Sequence, residues 1–396
     1  MIRGALTFMN NNDIYLDNNA TTRLCDEAYE AMQPYQQEYF GNPNSLHNTG
    51  RIAHRALAQS MHELYQLFGA EDRDDIIITS CATEGNNSVL MSVYYQFIHT
   101  GKKKRILSTQ VEHPSVAHTL EFLESLGAVV EFIPVNEEGL VTPEALRAMM
   151  SDDVALVSVM WANNETGLLF PIKELASVAH EHGALFHSDG VQAIGKTPVD
   201  LSDAGVDFFT FSAHKFHGPK GIGGLFIRGK TQFTPLFHGG AQMGGRRSGT
   251  VAIPLVVGMT VALRVAVANL EQNIIKMAHL RDKLERGLLQ LADITIVGKD
   301  SPRTPNTSLI SFKGVEGEAC LWDLNERGIA ASTGSACSSA DLQANPTFRA
   351  MKISADLEHT GIRFSLCRYT TEEEIDRTIE AVHAIVARLR EISIAY

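Results

Sequence analysis

The apolar run Asp207-Phe-Phe-Thr-Phe-Ser212 delivers Ser212, His214 and Lys215 to a glycine-rich stretch that ends at Gly221. A lysine at a strand end is ordinarily just solvated. Here a hydroxyl, an imidazole and glycines flank it, which suits an amine that must reach an aldehyde carbon. Such a lysine needs a lowered pKa to be nucleophilic. Asp189 ends another β-rich run, Ala184–Ser188. Its plain reading is a turn or helix-capping aspartate. Its chemical reading is a carboxylate that keeps a pyridine nitrogen protonated, so that the ring draws electrons. An aspartate and a lysine at two strand ends say more together than either alone.

A phosphate site is also legible. The run Ile76–Thr79 enters Ser80-Cys-Ala82-Thr83-Glu-Gly85, after which a helical stretch begins. A strand, a short loop and a helix N-terminus present unpaired N–H groups and the positive end of a dipole. Thr83 adds a hydroxyl, and Ser212 and His214 are available to the same anion. His113 precedes Pro114 at a helix start. It reads equally as a cap, as a core histidine, or as a group that stacks on a flat ring and moves protons. Asn164, after the run Val154–Met160, and Gln192, just past Asp189, are amides suited to a phenolic oxygen. Cys337 lies in Ala331-Ser-Thr-Gly334-Ser-Ala-Cys337-Ser-Ser-Ala340. Free cysteine is usually buried, so a tightly packed loop is the plain reading. The chemical reading is a mobile loop of small residues carrying an exposed thiol.

Elements must position these groups. Between Asp75 and Arg228, β-rich runs alternate with helical patterns: Ile76–Thr79, Arg105–Thr109, Val129–Ile133, Val154–Met160, Ala184–Ser188, Val206–Ser212 and Ile222–Ile227. This rhythm predicts an α/β fold with a mainly parallel seven-stranded sheet covered by helices. Ligands of such sheets bind outside the carboxyl ends of the strands, where the candidate residues lie. A long helical stretch, Ala252 to Leu291, leads into a smaller α+β region. Its last helix opens on Thr371 and Glu374, a capping box. We place a large domain at 15–264 and a small C-terminal domain at 265–396, joined by residues 1–14.

Composition narrows the class. A net charge of −12 argues against nucleic-acid binding, which needs a basic footprint. The five cysteines are odd in number and widely spaced, so neither a disulfide framework nor a zinc site is expected. No 18-residue apolar stretch suggests a membrane span. Met1 to Asp13 carry no signal-peptide pattern, so a reduced, cytoplasmic compartment is expected.

Taken together, Ser212-Ala-His-Lys215, His187-Ser-Asp189-Gly-Val-Gln192, Ala82-Thr-Glu84, Glu112-His113 and Asn163-Asn-Glu-Thr-Gly167 resemble the cysteine desulfurases of iron–sulfur cluster assembly, above all their nitrogen-fixation-type branch. The likeness runs from Tyr15-Leu-Asp-Asn-Asn-Ala-Thr-Thr22 to the last helix. It implies a fold-type I transferase dependent on pyridoxal 5'-phosphate, and a homodimer with shared sites. It implies Lys215 as the Schiff-base lysine, Asp189 as the pyridinium partner and His113 as the stacking acid/base residue. Asn164 and Gln192 match contacts to the ring oxygen. Ala82, Thr83, Ser212 and His214 match phosphate contacts, and Thr250, in Arg246-Arg-Ser-Gly-Thr250, resembles the residue that reaches the partner subunit's phosphate. Arg363 resembles the clamp on the carboxylate of L-cysteine, with Asn164 beside it. Cys337 resembles the thiol that takes sulfur as a persulfide and passes it to a scaffold protein, leaving room for a transient iron–sulfur ligand there. No intrinsic metal site is implied.

The sequence departs from this pattern at Gly190, where alanine is usual, at Met243 and Gly244, where charge is common, and at Cys367, where serine or glycine is usual. Two other readings share part of the site. A selenocysteine lyase or an aminotransferase needs Lys215 and Asp189 but not Cys337. A non-catalytic sulfur carrier or scaffold predicts no chromophore and no turnover.

Overall fold

The computed structural model describes residues 13–333, 346–354, 357 and 359–393. The chain forms two compact units. The larger comprises residues 21–163 and 169–270. Its strands are β1 (Asp75–Thr79), β2 (Arg105–Ser108), β3 (Val129–Phe132), β4 (Val154–Ser158), β5 (Leu185–Asp189), β6 (Phe208–Ser212) and β7 (Gly223–Ile227). They form one sheet in the order β1-β7-β6-β5-β4-β2-β3. Only β7 is antiparallel to its neighbours. All seven strands fall on the runs expected from sequence.

The sheet is buried on both faces, so its central strands need not alternate. β4 (Val-Ala-Leu-Val-Ser) and β6 (Phe-Phe-Thr-Phe-Ser) are buried at every position. Phe68 packs edge-on against Phe209, at 6.1 Å between ring centroids, and lies 4.8 Å from Phe211. Each such side chain removed from water contributes roughly 1.5–3 kcal/mol. Truncating Phe209 to alanine would cost about 3–5 kcal/mol.

Two helices matter for the site. α1 (Ala82–Val93) follows β1, and its N-cap, Cys81, makes no side-chain capping bond. α2 (Pro114–Ser125) follows β2, with His113 as N-cap and proline in its first turn. The helical stretch expected from Ala252 to Leu291 is two helices, α3 (Ile253–Ala268) and α4 (Leu270–Leu288), separated at Asn269. The expected boundary at 264/265 lies inside α3, whereas the units divide after Leu270. A helix whose buried residues run to Ala266 cannot be shared midway.

The smaller unit comprises residues up to Ala20, Asn164–Leu168 and Glu271–Tyr396. Its four-stranded antiparallel sheet is ordered Ser332–Thr333, Gly361–Ser365, Thr307–Phe312, Ile294–Ile296. α4 and α5 (Glu372–Ile392) supply much of its core, with Leu280, Leu284, Val382, Ile385 and Val386 fully or almost fully buried. The capping box forms: Thr371 Oγ1 accepts from the Glu374 N–H at 3.2 Å, and Glu374 Oε2 accepts from the Thr371 N–H at 2.8 Å. The short excursion 164–168 belongs to this unit because Thr304 N–H donates to Gly167 O at 2.8 Å and Asn19 Nδ2 to Asn164 O at 3.2 Å.

Candidate active site

In the larger unit the carboxyl ends of β1, β2, β4, β5 and β6 share one edge of the sheet. Asp189 is the last residue of β5 and Ser212 the last of β6. His214 and Lys215 lie in the single turn after β6, both half-buried. The parallel pairing of β5 with β6 sets Asp189 opposite Thr210.

Asp189 is almost fully buried, yet its carboxylate is well held. Oδ1 accepts from the Val191 N–H at 3.0 Å and Oδ2 from Asn86 Nδ2 at 2.7 Å. The space beside it explains Gly190. A Cβ there would lie 1.9 Å from Phe209 Cε2, so the Phe209 ring fills the volume an alanine methyl would take.

Ser212 Oγ is buried and has no hydrogen-bond partner among the described residues. A buried hydroxyl without a partner costs free energy unless a ligand satisfies it. His214 is neutral. Burial first, and then the Lys215, Lys220 and Lys196 cations, push its pKa down to about 4. Ala82 opens α1 and Thr83 is exposed beside it. A hydroxyl without a partner among the described residues and a helix N-terminus without a side-chain cap, in the positive field of nearby lysines, suit a dianionic phosphate. The strand-end carboxylate Asp189 is the acceptor a pyridinium nitrogen needs. The residues present therefore fit pyridoxal phosphate.

His113 and Thr83 line a cleft of about 480 Å³, together with Asn87, Ser115, His118 and Phe122. Burial lowers the pKa of His113, Asp189 opposes this, and Lys215 and His118 reinforce it. Next to it in sequence, Glu112 is buried. Burial pushes its carboxyl up to about 8, with the Asp189 charge adding, against donors from Met160 N–H and Thr109. Gln192 is buried and accepts from Lys196 Nζ.

Thr250 is exposed at the end of its loop. Arg246 pairs with Asp75 at 2.7 Å, and Arg247 with Glu84 at 2.8 Å while lying 5.4 Å from the centre of the Phe237 ring. These arginines anchor the loop to its own unit rather than forming an open anion site. Burial opposes ionisation of Glu84, but Arg247 and the Ser80 N–H hold its carboxyl below the usual range.

In the smaller unit, Arg363 is central in its sheet and almost fully buried. Nη2 donates to Asp17 Oδ1 at 2.7 Å and Nη1 to Asn164 O at 3.0 Å, while Nε has no partner among the described residues. Asn164 is half-buried and offers its backbone oxygen here. Cys367 follows the Arg363 strand, and burial raises the pKa of its thiol. Cys337 lies outside the described residues. Sequence reasoning missed Asn86, Ser115 and the buried Lys196. Asn86 stands three residues past Thr83 and Ser115 two past His113, so proximity to the motifs was the available signal.

A mainly parallel sheet with the candidate residues along its carboxyl edge, and a smaller unit built on an antiparallel sheet, define the fold-type I class. The chain belongs to the aminotransferase class-V family, whose model matches residues 14–378; the family's enzymes use pyridoxal phosphate. The cysteine desulfurase NifS of Azotobacter vinelandii is 45% identical over 382 residues, covering 96% of this chain and 94% of that protein. A solved NifS-like protein is 36% identical with a TM-score of 0.89, covering 95% of this chain and 100% of that one. SspA, solved in complex with cysteine, is 27% identical with a TM-score of 0.79, covering 90% and 100%.

Proposed function

We propose that the chain is a cysteine desulfurase that takes sulfur from L-cysteine, yields L-alanine and carries the sulfur as a persulfide on Cys337. The observation that carries this reading is the sheet edge itself. Asp189, Ser212, His214, Lys215 and the N-terminus of α1 gather there, in a chain whose relatives are named cysteine desulfurases.

Pyridoxal phosphate, when bound, supplies an electron sink for charge developing at the substrate's α-carbon. Ala82, Thr83, Ser212 and His214 would hold its phosphate, and Asp189 would keep a proton on its ring nitrogen. Lys215 would anchor it and then move the α-proton of the substrate. His113, Asn164 and Gln192 would hold the ring in place. Arg363 would take the substrate carboxylate through its guanidinium. The Cys337 thiolate would attack the substrate sulfur: an S–S bond forms, the Cβ–S bond breaks, and the electron pair left on carbon takes a proton to give alanine. The nucleophile is the thiolate, so Cys337 must ionise near neutral pH.

A homodimer suits Thr250, whose loop is anchored at Arg246 and Arg247 and leaves Thr250 exposed to reach a second chain's phosphate. The acceptor this reading favours is an iron–sulfur scaffold protein. A free thiol nucleophile suits a cytoplasmic location.

Cys337→Ser tests the reading. The variant should bind cofactor at Lys215 normally, form almost no alanine, and hold no label from ³⁵S-cysteine in peptides containing position 337. Normal turnover by the serine variant, or label on Cys367, overturns it.

A further inference from the structure

His113 is tied to Asp189 by a directed chain of hydrogen bonds. Its Nδ1 faces the Ser115 backbone N–H at 3.1 Å and Ser115 Oγ at 2.8 Å. A backbone N–H can only donate, so Nδ1 must be the unprotonated nitrogen. In the neutral ring the proton then sits on Nε2. Ser115 Oγ accepts from Asn86 Nδ2 at 2.8 Å, which leaves the serine hydrogen for His113. The second Asn86 Nδ2 hydrogen goes to Asp189 Oδ2 at 2.7 Å. Asn86 Oδ1 accepts from Thr210 Oγ1, which fixes the amide the right way round. A flipped amide would set its oxygen against the Asp189 carboxylate.

We propose that Ser115 and Asn86 are positioning residues that lock His113 as the Nε2–H tautomer, so that it offers the reacting atoms a hydrogen-bond donor and not a base. This rests on the desulfurase reading of the site, and it assigns removal of the α-proton to Lys215 alone. For His113 to act as a base at Nε2, its proton would have to move to Nδ1, onto two donors. The serine hydroxyl can rotate away, but the backbone N–H cannot. The groups facing His113 divide. The positive N-terminus of α2, Lys215 and His118 disfavour a second proton, while Asp189 favours one. Glu112, next in sequence, is hydrogen-bonded to Thr109 and Met160.

The test uses holoenzyme labelled with ¹⁵N-histidine, with His113→Gln to assign the resonance. Two-bond ¹H–¹⁵N spectra recorded across pH 5 to 9 should show, for the neutral ring, Nδ1 unprotonated and Nε2 protonated. Ser115→Ala removes the hydroxyl but keeps the N–H. Its His113 should titrate at a higher pH than in the wild type, because one of two donors to Nδ1 is gone, and kcat should fall about fivefold, the worth of one ordinary hydrogen bond, with KM little changed. Ser115→Thr should restore both. A His113 proton on Nδ1 in the neutral ring of the wild type, or an unchanged titration and kcat in Ser115→Ala, overturns the lock. The spectra do not depend on turnover. A locked tautomer in a protein that makes no alanine therefore sinks the desulfurase reading and leaves the lock standing, while the converse sinks only the lock.

Discussion

The sheet edge of the larger unit and the Arg363 cluster of the smaller one are both buried and polar, but they are finished to different degrees. At the sheet edge Ser212 Oγ lacks a partner among the described residues and α1 lacks a side-chain cap, which leaves donors for an anion. Around Arg363 the charge is already neutralised. Asp17 and Asn164 O take its two terminal nitrogens, and only Nε is left without a partner among the described residues. Under the proposed reading the first region offers an anion donors that need give up no side-chain partner, the Ser212 hydroxyl and the N-terminus of α1. The second must exchange or share a partner before it can grip a carboxylate. A tightly held cofactor suits the first arrangement, and a substrate that must leave at every turnover suits the second.

Removing a group at the sheet edge should therefore have the largest effect. Lys215→Ala should lower kcat at least about 10³-fold, because anchoring and proton transfer disappear together. Borohydride reduction of the wild type should fix the cofactor to Lys215, and attachment at another lysine would refute the assignment. Asp189→Ala should lower kcat by about 10²–10³-fold even at saturating cofactor, as the loss of a buried charge partner does. At Arg363 the loss should fall mainly on KM. Arg363→Gln should reduce kcat/KM for cysteine by about 10²-fold, the worth of a charge-assisted pair of hydrogen bonds. A variant that loses kcat and keeps KM would break the contrast between the two regions.

The two regions also differed in how far they could be read from sequence. The sheet edge was legible because short-range pattern carries it. Apolar runs stop at Thr79, Asp189 and Ser212, and each stop is a strand end in the fold. The Arg363 cluster was legible as a residue and not as an arrangement. Its partner Asp17 is 346 positions away, and no local pattern announces a pair across that distance. The same holds for Asn86 and Asp189, which are 103 apart. The break between α3 and α4 was missed because both sides of Asn269 are helix-forming and no proline or glycine marks the gap. Gly190 gave no clue to its compensation, since Phe209 comes against it only when β5 and β6 pair.

Asp17→Asn sharpens the comparison at smaller amplitude. It leaves Arg363 a neutral partner of the same size. Breaking a buried ion pair costs about 3–5 kcal/mol. Asp17 keeps 20% of its side-chain surface exposed and the amide still accepts, so the loss here should be about 2 kcal/mol or less. With its competitor gone, the guanidinium should bind a carboxylate more tightly, so KM for cysteine should fall a few-fold while the melting temperature drops. A rise in KM would mean that Asp17 orients Arg363 rather than competing for it.

The smallest expected effect concerns Glu112, whose pH dependence runs opposite to that of His187 and His214. His187 and His214 are both held neutral, with pKa values near 4. The stability they contribute is present above the ordinary histidine value and is lost as pH falls toward 4. Glu112 has a folded pKa of about 8, above its unfolded value of 4.5, so its contribution is present below 4.5 and lost as pH rises through 8. Its Oε2 is buried without a partner among the described residues, so no donor there stabilises the charged form. Glu112→Gln replaces a neutral acid by a neutral amide of nearly the same shape. At pH 5 the variant should be slightly less stable, by about 1 kcal/mol, because an extra N–H is buried without an acceptor. At pH 8 it should be the more stable of the two, since only the wild type loses stability as its unfolded chain ionises. The histidines are common to both proteins and cancel in the difference. Below about pH 7 turnover should change by no more than about twofold, because Glu112 is then as uncharged as the amide and the charge near Asp189 is unaltered. Melting curves of both proteins from pH 5 to 8 decide the matter. A difference in melting temperature that does not vary with pH would show Glu112 to be ionised in the folded chain, and Asp189 would then share its end of the sheet with a second negative charge.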